Sequence, residues 1–520
     1  LRVKRSSALH GVFLLTITGI VSQIIGFVYR ILLSQMIGAE MLGLYQLIMP
    51  VYSVLLSLTS VGLTASVAYL SAQYQAVGNT RAVWQLRNEA IRLFFLLAIL
   101  PCALILCFSD ATSVYILGDA RTQLGLILLV PCLLLTGIEN QQKNYFYGVG
   151  FVRPAAITEL IEQIIRSLAV LALLSFFLPC YPEKVVGLIV VGMIICEIFS
   201  AVTQTALFRY YVGPAEGLGG QGRPHKELKR DMIRIAAPVG FTALLGNLLG
   251  SANSVLVPRL LVQSGMELSE AMSNFGVMFG MTLPMLFLPT AFLGALTLIL
   301  APKLSESLAL GRRGEIRRRI TKAVAAANLI LIPSLALLAV VGPGVGAVLY
   351  KDPRVGNHMD LLALGVLLSC WHALLANCLN GLGHQAYSAK VALFSDVIQL
   401  VVTIFTVSKP ELGLRGFAWG LVLSSAIGAY LSWYKLSRET GLRLPAFEWF
   451  IAPVLGSALA ASCTQLLYRV LLRDGMTALP AGCSCLIFGL LLYLAALQAQ
   501  GVSIRDLLGE KPLASQDKKG

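Results

Sequence analysis

Charge is scarce in this chain. Asp, Glu, Lys and Arg make up 13% of its 520 residues, where a soluble domain carries about 25%. Hydrophobic residues make up 57%. No single soluble core could cover that much apolar surface, so a water-soluble globular fold is excluded and an integral membrane protein is implied. Motifs for chemistry are missing too. No Gly-Lys dipeptide occurs, which excludes a phosphate-cradling G-x-x-x-x-G-K-[ST] loop. The five histidines are scattered without H-E-x-x-H, and the ten cysteines, most of them within apolar runs, form no C-x-x-C pair. No connection is long enough to hold a water-exposed catalytic domain. An enzyme, a resident metal and a cofactor are therefore not expected.

What is present is apolar length. Fourteen runs, at about 11–33, 44–70, 89–108, 122–147, 155–178, 185–208, 235–262, 270–300, 323–342, 361–380, 387–408, 413–434, 449–468 and 479–498, each suffice for a helix across a ~30 Å hydrocarbon layer. They lack the alternation of barrel strands. We number them spans 1 to 14. The opening "LRVKRSSALHGVFLLTITGIVSQ" resembles a secretory signal, but its apolar region is long and no small-x-small site follows, so it reads as a retained span.

The net charge of +14 would suit nucleic acid, but its distribution favours a membrane. With the N-terminus placed in the cytoplasm, 27 Lys and Arg fall in cytoplasmic segments and 8 in outer connections. That asymmetry predicts a multi-pass protein with both termini inside. The basic loop "LGRRGEIRRRITK" (310–322) then faces anionic lipid heads, and no nucleic-acid partner is expected.

The chain carries an internal repeat. "NYFYGVGFVRPAAITELIEQIIRSLAVL" from Asn144 aligns with "NCLNGLGHQAYSAKVALFSDVIQLVVTI" from Asn377, matching Asn144, Gly148 and Gly150 to Asn377, Gly381 and Gly383 at an offset of 233. "FVYRILL" (27–33) aligns with "LVPRLLV" (256–262), setting Arg30 against Arg259, and Pro50 and Pro284 follow in the next spans. Spans 1–6 and 7–12 then read as two copies of one unit. The expected fold is all-α: two pseudo-symmetric six-helix lobes around a central cleft, plus two C-terminal helices. The boundaries are an N-lobe over 1–215, a cytoplasmic linker over 216–234, a C-lobe over 235–436, spans 13 and 14 within 437–498 and a cytoplasmic tail over 499–520. Parallel repeats of this kind are found in transporters that rock between two states. Pro50, Pro284, Gly26 and Gly250 are candidate hinges.

The charges within the spans sort by helical spacing. Glu139 precedes Lys143 by four residues and Glu162 precedes Arg166 by four, the favourable order for an ion pair on a helix. Arg30 and Arg259 have no acidic residue at i±3 or i±4. Arginine at mid-membrane costs about 2.5–3.5 kcal/mol, so each needs a partner from another helix, from water or from a ligand. Two such groups, with Lys143 and Arg166 as helpers, would receive an anionic head group, since the guanidinium fork matches phosphate oxygens. Snorkelling of both to the interface is the competing reading. Glu197 and Asp396 lack a basic neighbour on their own helices. They are candidates for Na⁺ or H⁺ coupling, Asp396 with oxygens from Asn253, Ser395 and Thr403.

Two stretches carry a family likeness. "RILLSQMIGAEMLGLYQ" and "YGVG…RPAAITELIEQIIR" resemble polysaccharide-transport proteins of the stage V sporulation protein B type, within the multidrug/oligosaccharidyl-lipid/polysaccharide exporter superfamily. The likeness extends over nearly all fourteen spans, and the lipid II flippases are similar more distantly. It implies a bacterial cell-membrane protein with lobes in a V. The implied function is translocation of an undecaprenyl-pyrophosphate-linked glycan, a peptidoglycan precursor or another polysaccharide unit, by alternating access. Membrane lipids, the lipid-linked oligosaccharide and cell-wall synthesis enzymes are the implied partners. Lipid II flippases carry essential arginines in a central cavity. Arg30 matches that feature by its place in span 1 and Arg259 by its place in span 7. Span 2 here contains no arginine, where lipid II flippases have one. A drug/cation antiporter of the same superfamily and a non-transporting scaffold for cell-wall assembly are the alternatives.

Overall fold

The computed structural model describes residues 8–213, 220, 222–442 and 447–501. Arg2, Lys4, Arg5, Arg443, part of the 216–234 linker and nearly all of the 499–520 tail lie outside the described residues. The described chain is helical, with no strand among its elements. Thirteen helical stretches are long and apolar enough to cross a membrane. The first, Phe13–Ala76, has 64 residues, about twice what a bilayer needs at 1.5 Å per residue. It breaks at Gly38, whose φ of 76° and ψ of 174° are outside helical space and are tolerated by glycine alone. Spans 1 and 2 therefore lie on either side of Gly38, and the total is fourteen. The remaining spans match the expected runs. Several extend past the apolar stretch at a polar end, as in His225–Gln263, which begins with "HKELKR".

Span 2 passes through a π-helical turn at Ser57–Val61 before continuing as Gly62–Ala76. Span 8 runs as Leu268–Phe275, a π turn Gly276–Thr282, Leu283–Phe287, a 3₁₀ turn Leu288–Thr290 and Ala291–Ala309. Of the four candidate hinges, Pro50 and Pro284 fall in these irregular spans. Gly26 and Gly250 lie within uninterrupted helix.

The described residues form two units, one within Leu1–Pro284 and Asp396–Phe417, the other within Met285–Ser395 and Ala418–Gly520. In the first, span 2 crosses span 8 so closely that a Cβ at Gly43 would collide with the Met272 carbonyl, and one at Gly276 with the Ala39 carbonyl. The Ser251 hydroxyl of span 7 donates to the Pro50 carbonyl of span 2 at 3.0 Å. In the second unit, Asn328 of span 9 is a fixed joint. Its amide donates to the Trp449 carbonyl at 2.8 Å, and its oxygen accepts from the Trp371 indole at 2.7 Å. Beside it, Trp371, Tyr430, Trp433 and Phe450 wall an apolar cavity of about 250 Å³. Spans 13 and 14 pack on span 9 through Tyr468, Ala481 and Cys485 around Val341.

The repeat has the same local geometry in both copies. Span 4 ends in a Schellman turn: Phe151 N–H bonds the Phe146 carbonyl at 3.0 Å, Gly150 N–H bonds the Tyr147 carbonyl at 3.2 Å, and Gly150 has φ 73°. At an offset of 233, His384 N–H bonds the Leu379 carbonyl at 2.9 Å, Gly383 N–H bonds the Asn380 carbonyl at 3.1 Å, and Gly383 has φ 85°. The connection before each of these spans repeats too. Asp119 caps the turn Ala120–Thr122 by accepting from Arg121 N–H at 2.9 Å, and the Arg121 guanidinium forks back onto its carboxylate at 3.0 and 2.7 Å. Asp352 and Arg354, again 233 residues on, do the same at 2.9, 3.1 and 2.7 Å.

Candidate functional site

The charged residues of spans 4, 5 and 6 meet inside the first unit. Span 4 (Gln123–Gly148) presents Glu139 and Lys143 one turn apart, and span 5 (Arg153–Phe177) presents Glu162 and Arg166 likewise. Span 6 (Val185–Val212) adds Cys196, Glu197 and Ser200. The i,i+4 pairs form as spaced: Lys143 Nζ lies 2.6 Å from Glu139, and Arg166 Nη2 lies 2.5 Å from Glu162. Each cation also reaches a second carboxylate on another span. Lys143 is 3.5 Å from Glu162, and Arg166 is 3.3 Å from Glu197. The Ser200 hydroxyl donates to Glu162 at 3.1 Å. The lone Glu197 of the sequence thus finds its cation on span 5, which no spacing within span 6 could indicate.

This arrangement joins three carboxyls to two cations. The carboxyls are buried, Glu139 with 2% and Glu197 with 4% of the side chain exposed, while Arg166 keeps 27% exposed. Glu162, Cys196 and Glu197 place ligand atoms within 4.8 Å of one another, a spacing that suits a metal. Arg166 donates to all three, at 3.3 Å to the Cys196 sulfur. The guanidinium is the cation that this cage holds. A hydroxyl chain continues to span 2: Thr136 bonds Glu197 at 2.6 Å, and Tyr52 bonds Thr136 at 2.6 Å. Sequence spacing marks neither hydroxyl.

Arg30 differs from these. It is half-buried on span 1 and has no hydrogen bond or ion pair among the described residues. Gly26, one turn earlier, lets span 1 press against Gln163 of span 5. Arg30 and Arg166 both act on Tyr29 and Tyr45, which places them in one neighbourhood. Arg259 is elsewhere in the same unit. Its guanidinium donates to the Tyr115 carbonyl in the turn after span 3 and lies beside Gly118. It shares no partner with Arg30. Of the cationic candidates, Lys143, Arg166 and Arg259 are engaged by protein groups and Arg30 is not.

The ion-coupling candidates on other spans are less connected. Asp396 is half-buried with no hydrogen bond or ion pair among the described residues. Asn253 Oδ1 and Thr403 Oγ1 are buried without hydrogen-bond partners among the described residues. A further pair escaped the spacing argument: Arg121 also reaches Glu40 of span 2 at 2.8 Å. The D-x-R shared by 119–121 and 352–354 marks the local Asp119 partner of Arg121 but not Glu40.

The polysaccharide biosynthesis protein family matches residues 8–297, and the lipid II flippase MurJ family matches residues 161–479. The chain is similar to stage V sporulation protein B of Bacillus subtilis (strain 168), at 21% identity over 86% of this chain and 87% of that protein. It is similar to the lipid II flippase MurJ of the same organism at 20% identity, over 81% and 80%. Among solved structures, lipid II flippase MurJ in an inward closed conformation aligns with a TM-score of 0.69 at 13% identity, covering 96% of this chain and 100% of that one.

Proposed function

The chain belongs to the polysaccharide biosynthesis protein and lipid II flippase families of membrane proteins, and from that membership we propose that it carries a lipid-linked glycan across a bacterial cell membrane, with Arg30 receiving the anionic head group. The observation that supports this role is the open valence of Arg30. A guanidinium inside a span costs about 2.5–3.5 kcal/mol, and such residues persist when they face a cavity or serve a ligand. Arg30 has no acceptor among the described residues, whereas its neighbour Arg166 has two carboxylates. A pyrophosphate supplies the missing acceptors, and the guanidinium fork binds two of its oxygens in parallel. The lipid tail stays in the bilayer while the head group crosses a hydrated path, and the protein alternates between states that differ in affinity for it. The bias of basic residues orients both termini toward the cytoplasm.

Reconstitution with a fluorescent undecaprenyl-pyrophosphate-linked glycan tests this reading. Arg30→Ala is expected to lower translocation at least tenfold, and Arg30→Lys to recover part of it. Equal rates in wild type and Arg30→Ala would remove the role. Uptake of cationic dyes instead of the glycan would favour a drug antiporter. Wild-type protein that moves neither would favour a scaffold.

A further inference from the structure

Span 5 turns one more polar group toward span 1. A Cβ added at Gly26 would stand 3.2 Å from Gln163 Nε2, so this amide lies against the bare backbone of span 1. Gly26 precedes Arg30 by four residues, which sets the two on one face of the helix, one turn apart. The Gln163 side chain is half-buried and has no hydrogen bond among the described residues. Its charged neighbours on span 5 do not need it. Glu162 is held by Arg166, Lys143 and Ser200, and Arg166 by Glu162, Glu197 and Cys196. The other glutamines of spans 4 to 6 are occupied or sealed. Gln123 reaches Ser109 at 3.5 Å, Gln142 is bonded to Thr205 at 2.8 Å, and Gln141 and Gln204 are fully buried. Gln163 thus has two N–H donors and a carbonyl acceptor to offer, one turn from the open guanidinium.

We propose that Gln163 binds the sugar joined to the pyrophosphate, an inference that rests on Arg30 receiving the anionic head group. In a lipid-linked glycan the pyrophosphate bonds directly to the first sugar, so phosphate oxygens and the polar groups of the ring lie a few bonds apart. One helical turn, about 5.4 Å, matches that spacing. The chemistry divides as the residues do. The guanidinium fork suits phosphate oxygens, while a neutral amide that both donates and accepts suits sugar hydroxyls or an acetamido group. Water fills these valences before the ligand arrives, and the sugar replaces it. The internal repeat shows why the amide must be neutral. At the offset of 233, Gln163 aligns with Asp396. A carboxylate at Gln163 would pair with Arg30 and repel the phosphate, whereas the amide leaves the guanidinium open. Gly26 contributes by having no side chain, since any Cβ there would push the amide aside.

Thermophoretic binding to the purified full chain, with two ligands, tests this. One is undecaprenyl pyrophosphate and the other is undecaprenyl-pyrophosphate-linked N-acetylglucosamine. Gln163→Ala is expected to weaken the sugar-bearing ligand about tenfold, the size of a lost hydrogen bond, and to leave the bare pyrophosphate bound as in wild type. Gln163→Met, which keeps the length and loses the amide, should match it, so that loss of packing is not the cause. Gly26→Ala should show the same selectivity, and Gln163→Glu should weaken both ligands. Equal loss for both ligands in Gln163→Ala, loss for neither, or equal affinity of wild type for the two overturns the proposal. Arg30→Ala should weaken both. If it weakens neither while Gln163→Ala stays selective, the head-group role fails and the sugar contact stands. If Arg30→Ala weakens both while Gln163→Ala changes nothing, only the sugar contact fails. A wild type that binds neither ligand overturns both.

Discussion

A charged side chain within a span is informative only once its partners are known. Glu139, Lys143, Glu162 and Arg166 announce themselves by spacing, and both expected pairs form. The sequence could not show that these pairs join across helices, because that depends on how spans 4, 5 and 6 face one another. It also gave Arg30 and Arg259 the same standing. The structure separates them, since Arg259 is satisfied by a backbone carbonyl, a partner that no side-chain pattern marks. Removing one member of a buried ion pair leaves the other uncompensated, at a cost of about 3–5 kcal/mol. Arg166→Gln is thus expected to lower thermal stability sharply, while Arg30→Ala, which breaks no hydrogen bond or ion pair among the described residues, should leave the melting temperature much nearer that of wild type. Adding Glu162→Gln to Arg166→Gln should recover part of the loss, because the coupled pair is then removed together. Unfolding followed by circular dichroism in detergent checks all three.

Among the helices and their connections, glycine and aspartate set the geometry. Gly43 and Gly276 let spans 2 and 8 touch backbone to backbone, and those backbones have no rotamer with which to give way. Gly276→Ala is expected to force this crossing apart. A thiol introduced at the buried Met272 should then react faster with a membrane-permeant maleimide than in the unaltered background, and equal rates would show that the crossing tolerates a Cβ. The D-x-R turns make a separate prediction about pH. Hydrogen bonds from Arg354 hold the Asp352 carboxyl below the usual carboxylate range. A depressed folded-state value means stability that is present above the unfolded value, about 3.9, and lost as pH falls through the folded one. Asp352→Ala should cost about 1 kcal/mol near neutral pH, as loss of a cap does. The gap from wild type should narrow as the solution is acidified.

At the scale of the whole chain, the fourteen apolar runs and the repeat were legible because both depend on local sequence: hydrophobic length marks a span, and glycine marks a turn. The Asn144 and Asn377 segments announced the duplication, and the two Schellman turns and D-x-R caps give it a physical basis, since the same backbone conformation recurs 233 residues apart. The division of contacts was not legible. Spans 7 and the first part of 8 belong with spans 1–6 in one unit, because close crossings such as Gly43 with Gly276 are tertiary events. Orientation is the remaining property of the whole, and it follows from where positive charge can be held. The turns carrying Asp119–Arg121 and Asp352–Arg354 neutralise their own arginines, so they add little net charge to their side of the membrane. The loop at 310–322 carries six basic residues against one acidic, and it suits the anionic cytoplasmic leaflet. An alkaline phosphatase reporter inserted beside Arg121 or Arg354 is therefore expected to be active, and one beside Arg313 inactive. The same activity at all three positions would contradict the charge argument, because an odd number of spans separates Arg313 from each of the other two.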